Sequence, residues 1–289
     1  MPCTIRDLET YQEMLTLRQL QREIWGLDEP NFGLYPPLLY SAAKNGGLVL
    51  GAFDDETGQM VAFLFGFLGR EPGGPFKLCS QTMGVLPKWR GQGIAEALKQ
   101  IQRERVIAQE LPLITWTFDP LEGPNAQLNL HKLRAISRTY WRDVYGCNFG
   151  ALNAGLPTDR LVVEWWVNGR RLQHKSGATH FPRASHLEAA LSIFEVAGVG
   201  VERRIIQTHL GLETTPLQLE IPADVHPVKA ADLGLALDWR LKVRQAFETY
   251  FAKGYLATDF ISKFEQGERH NYYLLEKSTQ ELLAEIGIE

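Results

Sequence analysis

Residues 82–98, TMGVLPKWRGQGIAEAL, constrain this chain more than any other stretch. A strand-like run ends at Leu86, a turn follows with Arg90, Gly91 and Gly93, and a helical pattern begins at once. Glycines in such a turn let the backbone approach a ligand closely. The first helical turn carries N–H groups with no intrahelical partner, at the positive end of the helix dipole. The combination makes an anion site, and a pyrophosphate is the ligand it fits. Neither a Walker loop nor a dinucleotide fingerprint is present, since there is no Gly-Lys-Ser/Thr triplet and no G-x-G-x-x-G after the strand. Two glycines before a helix are, on their own, equally well a structural turn.

The surrounding pattern predicts a strand over 4–8, a helix over 9–25, and a loop with Pro30, Gly33, Pro36 and Pro37. Residues 48–53 and 60–67 read as a hairpin across the turn-forming DDETGQ. A third strand over 78–86 leads through the glycine turn into a helix over 93–109, with Ala97, Leu98, Ile101, Val106 and Ile107 largely on one face. Pro112 separates that helix from a strand over 113–118. A helix over 125–133 and strands over 135–145 and 160–167 follow. This order belongs to an α+β sheet with helices on its faces. The polar run NGRRLQHKSG, residues 168–177, marks a change in composition. It divides the expected domains into 1–169 and a smaller α+β lobe, 170–289. Within that lobe a strand over 217–221, a helix over 231–253 and strands over 256–261 and 272–275 echo the first half. The echo has no glycine loop, so a degenerate repeat of this kind would hold no second pyrophosphate.

Composition excludes several classes. Of 289 residues 45% are hydrophobic and 22% charged, the proportions of an ordinary globular protein. Thirty basic residues against 34 acidic give a formal charge of -4, which supplies no general attraction for nucleic acid or an anionic membrane, so neither is expected as a partner. The apolar run MVAFLFGFL, residues 60–68, is too short to cross a bilayer. The opening MPCTIRDLET places charges where a signal peptide would have its apolar stretch, and a cytoplasmic location is the expectation. Cys3, Cys79 and Cys147 fit neither a zinc site nor a disulfide framework; reduced structural thiols and no metal are expected. Nothing in the sequence sets an oligomeric state.

R-G-Q-G-I-A resembles the R/Q-x-x-G-x-G/A acyl-coenzyme A motif of the GNAT superfamily of N-acetyltransferases. Arg90, Gly93 and Ala95 stand at its defining places, with V-x-P upstream at Val85 and Pro87. W-T-F-D-P-L (116–121), N-A-Q-L-N-L-H-K-L (125–133), Y-G at Tyr145 and Gly146, G-L-P-T-D-R (155–160), I-P-A-D (221–224) and W-R at Trp239 and Arg240 resemble one subgroup of predicted acetyltransferases. The resemblance covers most of the chain. It implies a GNAT-type mixed, mostly antiparallel sheet flanked by helices. It also implies that the backbone of Arg90, Gly91, Gln92, Gly93, Ile94 and Ala95 holds the coenzyme A pyrophosphate, while Met83, Gly84 and Val85 pair along the pantetheine arm and orient the thioester carbonyl. Asn125 and Asn129 are further implied cofactor contacts. The implied activity is transfer of an acetyl or related acyl group, such as succinyl, from coenzyme A to the amine of a small molecule such as an amino acid, by direct attack in a ternary complex. A protein or peptide acetyltransferase and a non-catalytic acyl-coenzyme A-binding regulatory module are the alternatives. Two departures stand out. The tyrosine often used as general acid is Leu130, and histidines that subgroup relatives tend to carry on the fourth strand are Cys79 and Gln81.

Attack on a thioester requires a neutral amine and a leaving thiolate, hence a base and an acid. Asp119, after the strand adjoining the cofactor segment, is a candidate base or amine anchor, and equally a turn residue before Pro120. Tyr140 and Tyr145, read as lying on the strand over 135–145, could protonate the sulfur or could be core aromatics. Arg160, Arg240 and Arg244 could supply a guanidinium fork for a substrate carboxylate. The alternative is solvated charge, or for Arg244 a pair with Glu248 one helical turn away. His131 is assigned no role.

Overall fold

The computed structural model describes residues 3–26, 33–146, 155–172, 187–265 and 267–288. Pro30, Cys147 and the part of the polar run beyond Leu172 lie outside the described residues. By packing, the chain forms two compact units, Met1–Trp116 and Thr117–Glu289, divided well ahead of the polar run.

The first unit opens with β1 (Cys3–Asp7) and α1 (Tyr11–Trp25). A capping box starts α1: Thr10 Oγ1 accepts from the Glu13 N–H, and Glu13 Oε2 accepts from the Thr10 N–H at 2.9 Å. Gly26, in the left-handed region at φ 61°, ends it. Met14, Leu17 and Leu20 form its buried stripe. Pro36 and Pro37, expected in a loop, instead open α2 (Pro36–Lys44). A first-turn N–H has no helical partner, so proline there removes nothing the helix uses and pre-sets its φ. β2 (Leu48–Asp54), β3 (Met60–Arg70) and β4 (Phe76–Val85) continue an antiparallel order β1-β2-β3-β4. β3 is buried at every position from Met60 to Gly66, as its unbroken apolar run requires of a strand covered on both faces. α3 (Ile94–Ala108) then leads to β5 (Leu113–Phe118), which pairs parallel to β4.

The second unit is a mixed sheet with helices against it. α4 (Gly123–Ala126) passes directly into a π turn, Gln127–Lys132, where the Leu133 N–H reaches back to the Leu128 carbonyl at 2.9 Å. β6 (Ile136–Trp141) and β7 (Arg160–Trp166) are antiparallel. β6 stops short of the expected 145. Asp143 (φ 45°) and Gly146 (φ 72°) turn the chain, and Tyr145 therefore lies in a turn and not on the strand. β8 (Leu191–Ser192) runs parallel to β11 (Leu217–Ile221), and β9 (Phe194–Ala197) with β10 (Arg204–Thr208) makes a separate hairpin that the pattern did not predict. α5 (Val225–Ala231) and α6 (Leu233–Ala252) are each N-capped by an aspartate, Asp224 and Asp232. β12 (Tyr255–Glu265) and β13 (Glu268–Lys277) form a long hairpin pairing with β6 on one side and β11 on the other, and α7 (Gln280–Ile286) closes the described chain.

Candidate functional site

In the first unit the glycine turn has the geometry an anion cradle needs. Gly91 and Gly93 hold φ of 75° and 81°, a region that favours glycine, and a Cβ built on either would meet nothing within 4 Å. Conformation, not crowding, requires them. Gly93 occupies the N-cap of α3, and having no side chain it supplies no capping acceptor of its own to the first turn. The turn is braced by its own side chains: Arg90 Nε donates to the Val85 carbonyl at 3.1 Å and Gln92 Nε2 to the Lys88 carbonyl at 3.2 Å. Ile94 anchors the helix start in the core, while residues 90–93 are exposed.

β4 brings Met83, Gly84 and Val85 to this turn. All three pair with β3, opposite Leu64, Phe63 and Ala62. Gly84 is required by close approach, since a Cβ there would stand 2.9 Å from Ile24 Cδ1 and from Trp25 Cη2. The parallel pairing of β4 with β5 consists of Leu78 with Ile114 and Cys79 with Thr115. From Ser80 onward, among the described residues, β4 pairs with β3 alone, and the register against β3 slips at Gln81. An extended ligand can use the strand edge freed in this way.

The second unit brings Tyr140, Arg160, Arg240 and Arg244 together around Asp119 and Asp159. Asp119 Oδ1 accepts from the Leu121 N–H at 2.8 Å, closing a turn over Pro120. Its Oδ2 accepts from Arg240 Nη2 at 2.6 Å and lies 3.5 Å from Arg160 Nη1. Asp159 is fully buried beside it in sequence to Arg160 and accepts four hydrogen bonds: Arg244 Nε (2.8 Å), Arg244 Nη2 (2.7 Å), the Tyr140 hydroxyl (2.7 Å) and the Asp143 N–H (3.0 Å). Burial alone would push the Asp159 carboxyl up, but these donors, Arg244 first, hold it below the usual range. Burial, and then the Asp159 charge, drive the Tyr140 hydroxyl well above its ordinary value, so it keeps its proton and donates it to Asp159. Tyr140 also stacks on Phe247 at 5.9 Å. Arg244 is thus engaged by Asp159, and Glu248 pairs with Arg142, not with Arg244. Arg240 differs: it is 2% exposed, and its Nε and Nη1 are buried without a partner among the described residues. Asn125 is exposed on α4 and Asn129 is buried on the π turn. His131 Nδ1 lies 3.0 Å from Asp259 Oδ1.

Asp159 was missed by sequence reasoning, although G-L-P-T-D-R contained it. The buried face of α3 was also misjudged. It comprises Ile94, Leu98, Lys99, Gln102 and Val106, whereas Ile107 is exposed. No cluster of His, Cys, Asp and Glu able to hold a metal exists among the described residues, and no described helix is long and apolar enough to cross a membrane.

No protein-family model matches this chain, and no curated protein matches it. Among solved structures it is similar to the ribosomal-protein-S18-alanine N-acetyltransferase of Escherichia coli, at 14% identity and a TM-score of 0.44 over 62% of this chain and 99% of that one. It is similar to Arabidopsis thaliana NAA60 in complex with a bisubstrate analogue, at 14% identity and a TM-score of 0.45 over 57% and 97%. A third likeness is to the GNAT superfamily phosphinothricin acetyltransferase of Sinorhizobium meliloti in complex with acetyl-coenzyme A, at 17% identity and a TM-score of 0.44 over 57% and 88%.

Proposed function

We propose that this chain is a GNAT-type N-acyltransferase that moves an acetyl or related acyl group, such as succinyl, from coenzyme A to the amine of a small molecule such as an amino acid. The observation that carries the reading is the uncapped start of α3, entered through two left-handed glycines with open space above them, at the end of a strand whose edge is freed from its parallel neighbour. Amides of that turn would bind the pyrophosphate, with Arg90, Gly91, Gln92, Gly93, Ile94 and Ala95 supplying the cradle. Met83, Gly84 and Val85 would lie along the pantetheine arm, and Asn125 and Asn129 would add cofactor contacts. Transfer would be direct, the amine attacking the thioester in a ternary complex, with positioning contributing much of the acceleration.

The second unit's network would serve the acceptor. Arg240 supports a carboxylate-bearing acceptor, because its Nε and Nη1 donors are buried and unused. Asp119 would orient Arg240, with Arg160 beside it. Tyr140 and Arg244 would fix Asp159 and the floor around it. Residues 1–169 would thereby carry the cofactor, and the lobe 170–289 would contribute Arg240 and Arg244 to the acceptor site. Release of thiol from acetyl- or succinyl-coenzyme A, followed across amino acids, simple amines and peptides, is the test. Turnover with free amines is expected. Turnover with peptides alone would make the protein a peptide-modifying enzyme, and binding without turnover on any acceptor would make it an acyl-coenzyme A-binding module.

A further inference from the structure

The buried stripe of α3 contains an amine that pairs with no acid among the described residues. Lys99 is 2% exposed. Its Nζ lies 3.0 Å from Ser80 Oγ on β4, 3.1 Å from Gln102 Oε1 on α3, and 3.6 Å from the centre of the Trp116 ring on β5. Among the described residues no carboxylate stands within ion-pair distance, although a buried ammonium is ordinarily paired. Burial lowers the amine to about 7, and no charged neighbour contributes. Lys99 therefore has two accessible states near neutrality. Charged, its N–H groups face two acceptors and an aromatic ring. Neutral, it offers a lone pair to which Ser80 can donate. The hydrogen bond between Ser80 and Lys99 thus reverses direction with the proton.

Ser80 occupies a particular place on β4. It follows Cys79, the last residue paired with β5, and precedes Gln81, where the register against β3 slips. The Ser80–Lys99 pair stands where the two parallel strands part. Asp119 offers little as an alternative base, since its oxygens are engaged by the Leu121 N–H, Arg160 and Arg240.

We infer that Lys99, acting through the Ser80 hydroxyl, is the proton acceptor of acyl transfer. The inference rests on the acyltransferase reading, because it needs a thioester lying where β4 leaves β5. The amine nitrogen attacks the thioester carbonyl carbon, the C–N bond forms and the carbonyl oxygen takes the electron pair. The N–H⁺ of this adduct gives its proton to Ser80 Oγ as Ser80 passes its own to Lys99 Nζ. The oxygen's pair then re-forms the carbonyl, the C–S bond breaks, and coenzyme A leaves as thiolate. The proton held by Lys99 returns to the thiolate or to solvent, and Ser80 is unchanged. A base poised near the working pH is the most effective kind for such a step.

The test is the pH dependence of kcat/KM for thiol release, with any amine the wild type accepts, in the wild type, Lys99→Met and Ser80→Ala. The wild type should show a rising limb with its midpoint near 7. Both variants should lose that limb and fall tenfold or more at neutral pH, within the ~10² to 10⁴ range of general-base contributions. Their coenzyme A affinity, read by calorimetry, should stay that of the wild type. A packing role alone would shift the melting temperature and leave the limb in place. Retention of the limb in Ser80→Ala overturns the inference even if Lys99→Met fails to fold, and it leaves the acyltransferase reading standing. A wild type that releases no thiol with any amine removes that reading, and this inference with it.

Discussion

Arg240 shows how a single residue decides what the second unit can tolerate. Its guanidinium is almost wholly buried, and among the described residues Asp119 is the carboxylate that pairs with it. Burial works against the charge, and the attraction and hydrogen bond of Asp119 outweigh it, holding the guanidinium above its ordinary value. Breaking a buried pair from one side strands the other charge, at a cost of about 3–5 kcal/mol. Asp119→Ala should therefore lose about that much in urea unfolding, while Asp119→Ala combined with Arg240→Met should recover a large part of it. A single variant as stable as the wild type would contradict the geometry. This pairing was not legible in the sequence, because Asp119 and Arg240 lie 121 positions apart and nothing local joins them. Lys99 and Gln102 were hidden for a different reason. Helical periodicity assigns polar residues to the solvent face, and here both are buried, with Lys99 Nζ donating to Gln102 Oε1.

Among the elements, the start of α3 was read from sequence almost as it stands, since glycine conformation, strand end and helix start are all local. β2, β3 and β5 were legible for the same reason: unbroken or alternating apolar runs bounded by turn formers. α2 is not legible because Pro36 and Pro37 signal a loop as readily as a helix start. The π turn has no sequence period of its own, and β9 and β10 are too short to show one. The α3 start permits a clean separation of strain from function. Gly93→Ala forces a side chain into the left-handed region, costing about 1–2 kcal/mol, with no neighbour for the methyl group to strike. A modest loss of stability with helix content unchanged is expected by thermal unfolding and circular dichroism. A neutral substitution would mean that the turn does not need its glycine.

Lys99 also sets a pH dependence for the stability of the molecule. Its amine is lowered in the folded protein from an ordinary 10.5 to about 7, so between those values the unfolded chain binds more protons than the folded one. Stability should rise with pH across that window, by up to about 1.4 kcal/mol per unit from this group, and the folded state should bear the full cost of the buried charge below 7. Lys99→Met removes the cost. Urea unfolding should place the variant furthest above the wild type at pH 7 and below, and the two should converge toward pH 10. Parallel curves would show that Lys99 keeps its proton throughout.

The central claim is that the glycine turn before α3 binds coenzyme A through backbone amides. Calorimetric titration of coenzyme A into the wild type, Gly93→Ala and Gly93→Glu tests it most directly. The glutamate adds the same backbone strain as the alanine and, in addition, bulk and negative charge where the pyrophosphate would sit. One coenzyme A per chain should bind the wild type, Gly93→Ala should retain binding, and Gly93→Glu should lose it. A wild type that does not bind coenzyme A, or a Gly93→Glu variant that binds it with unchanged affinity, would contradict the claim.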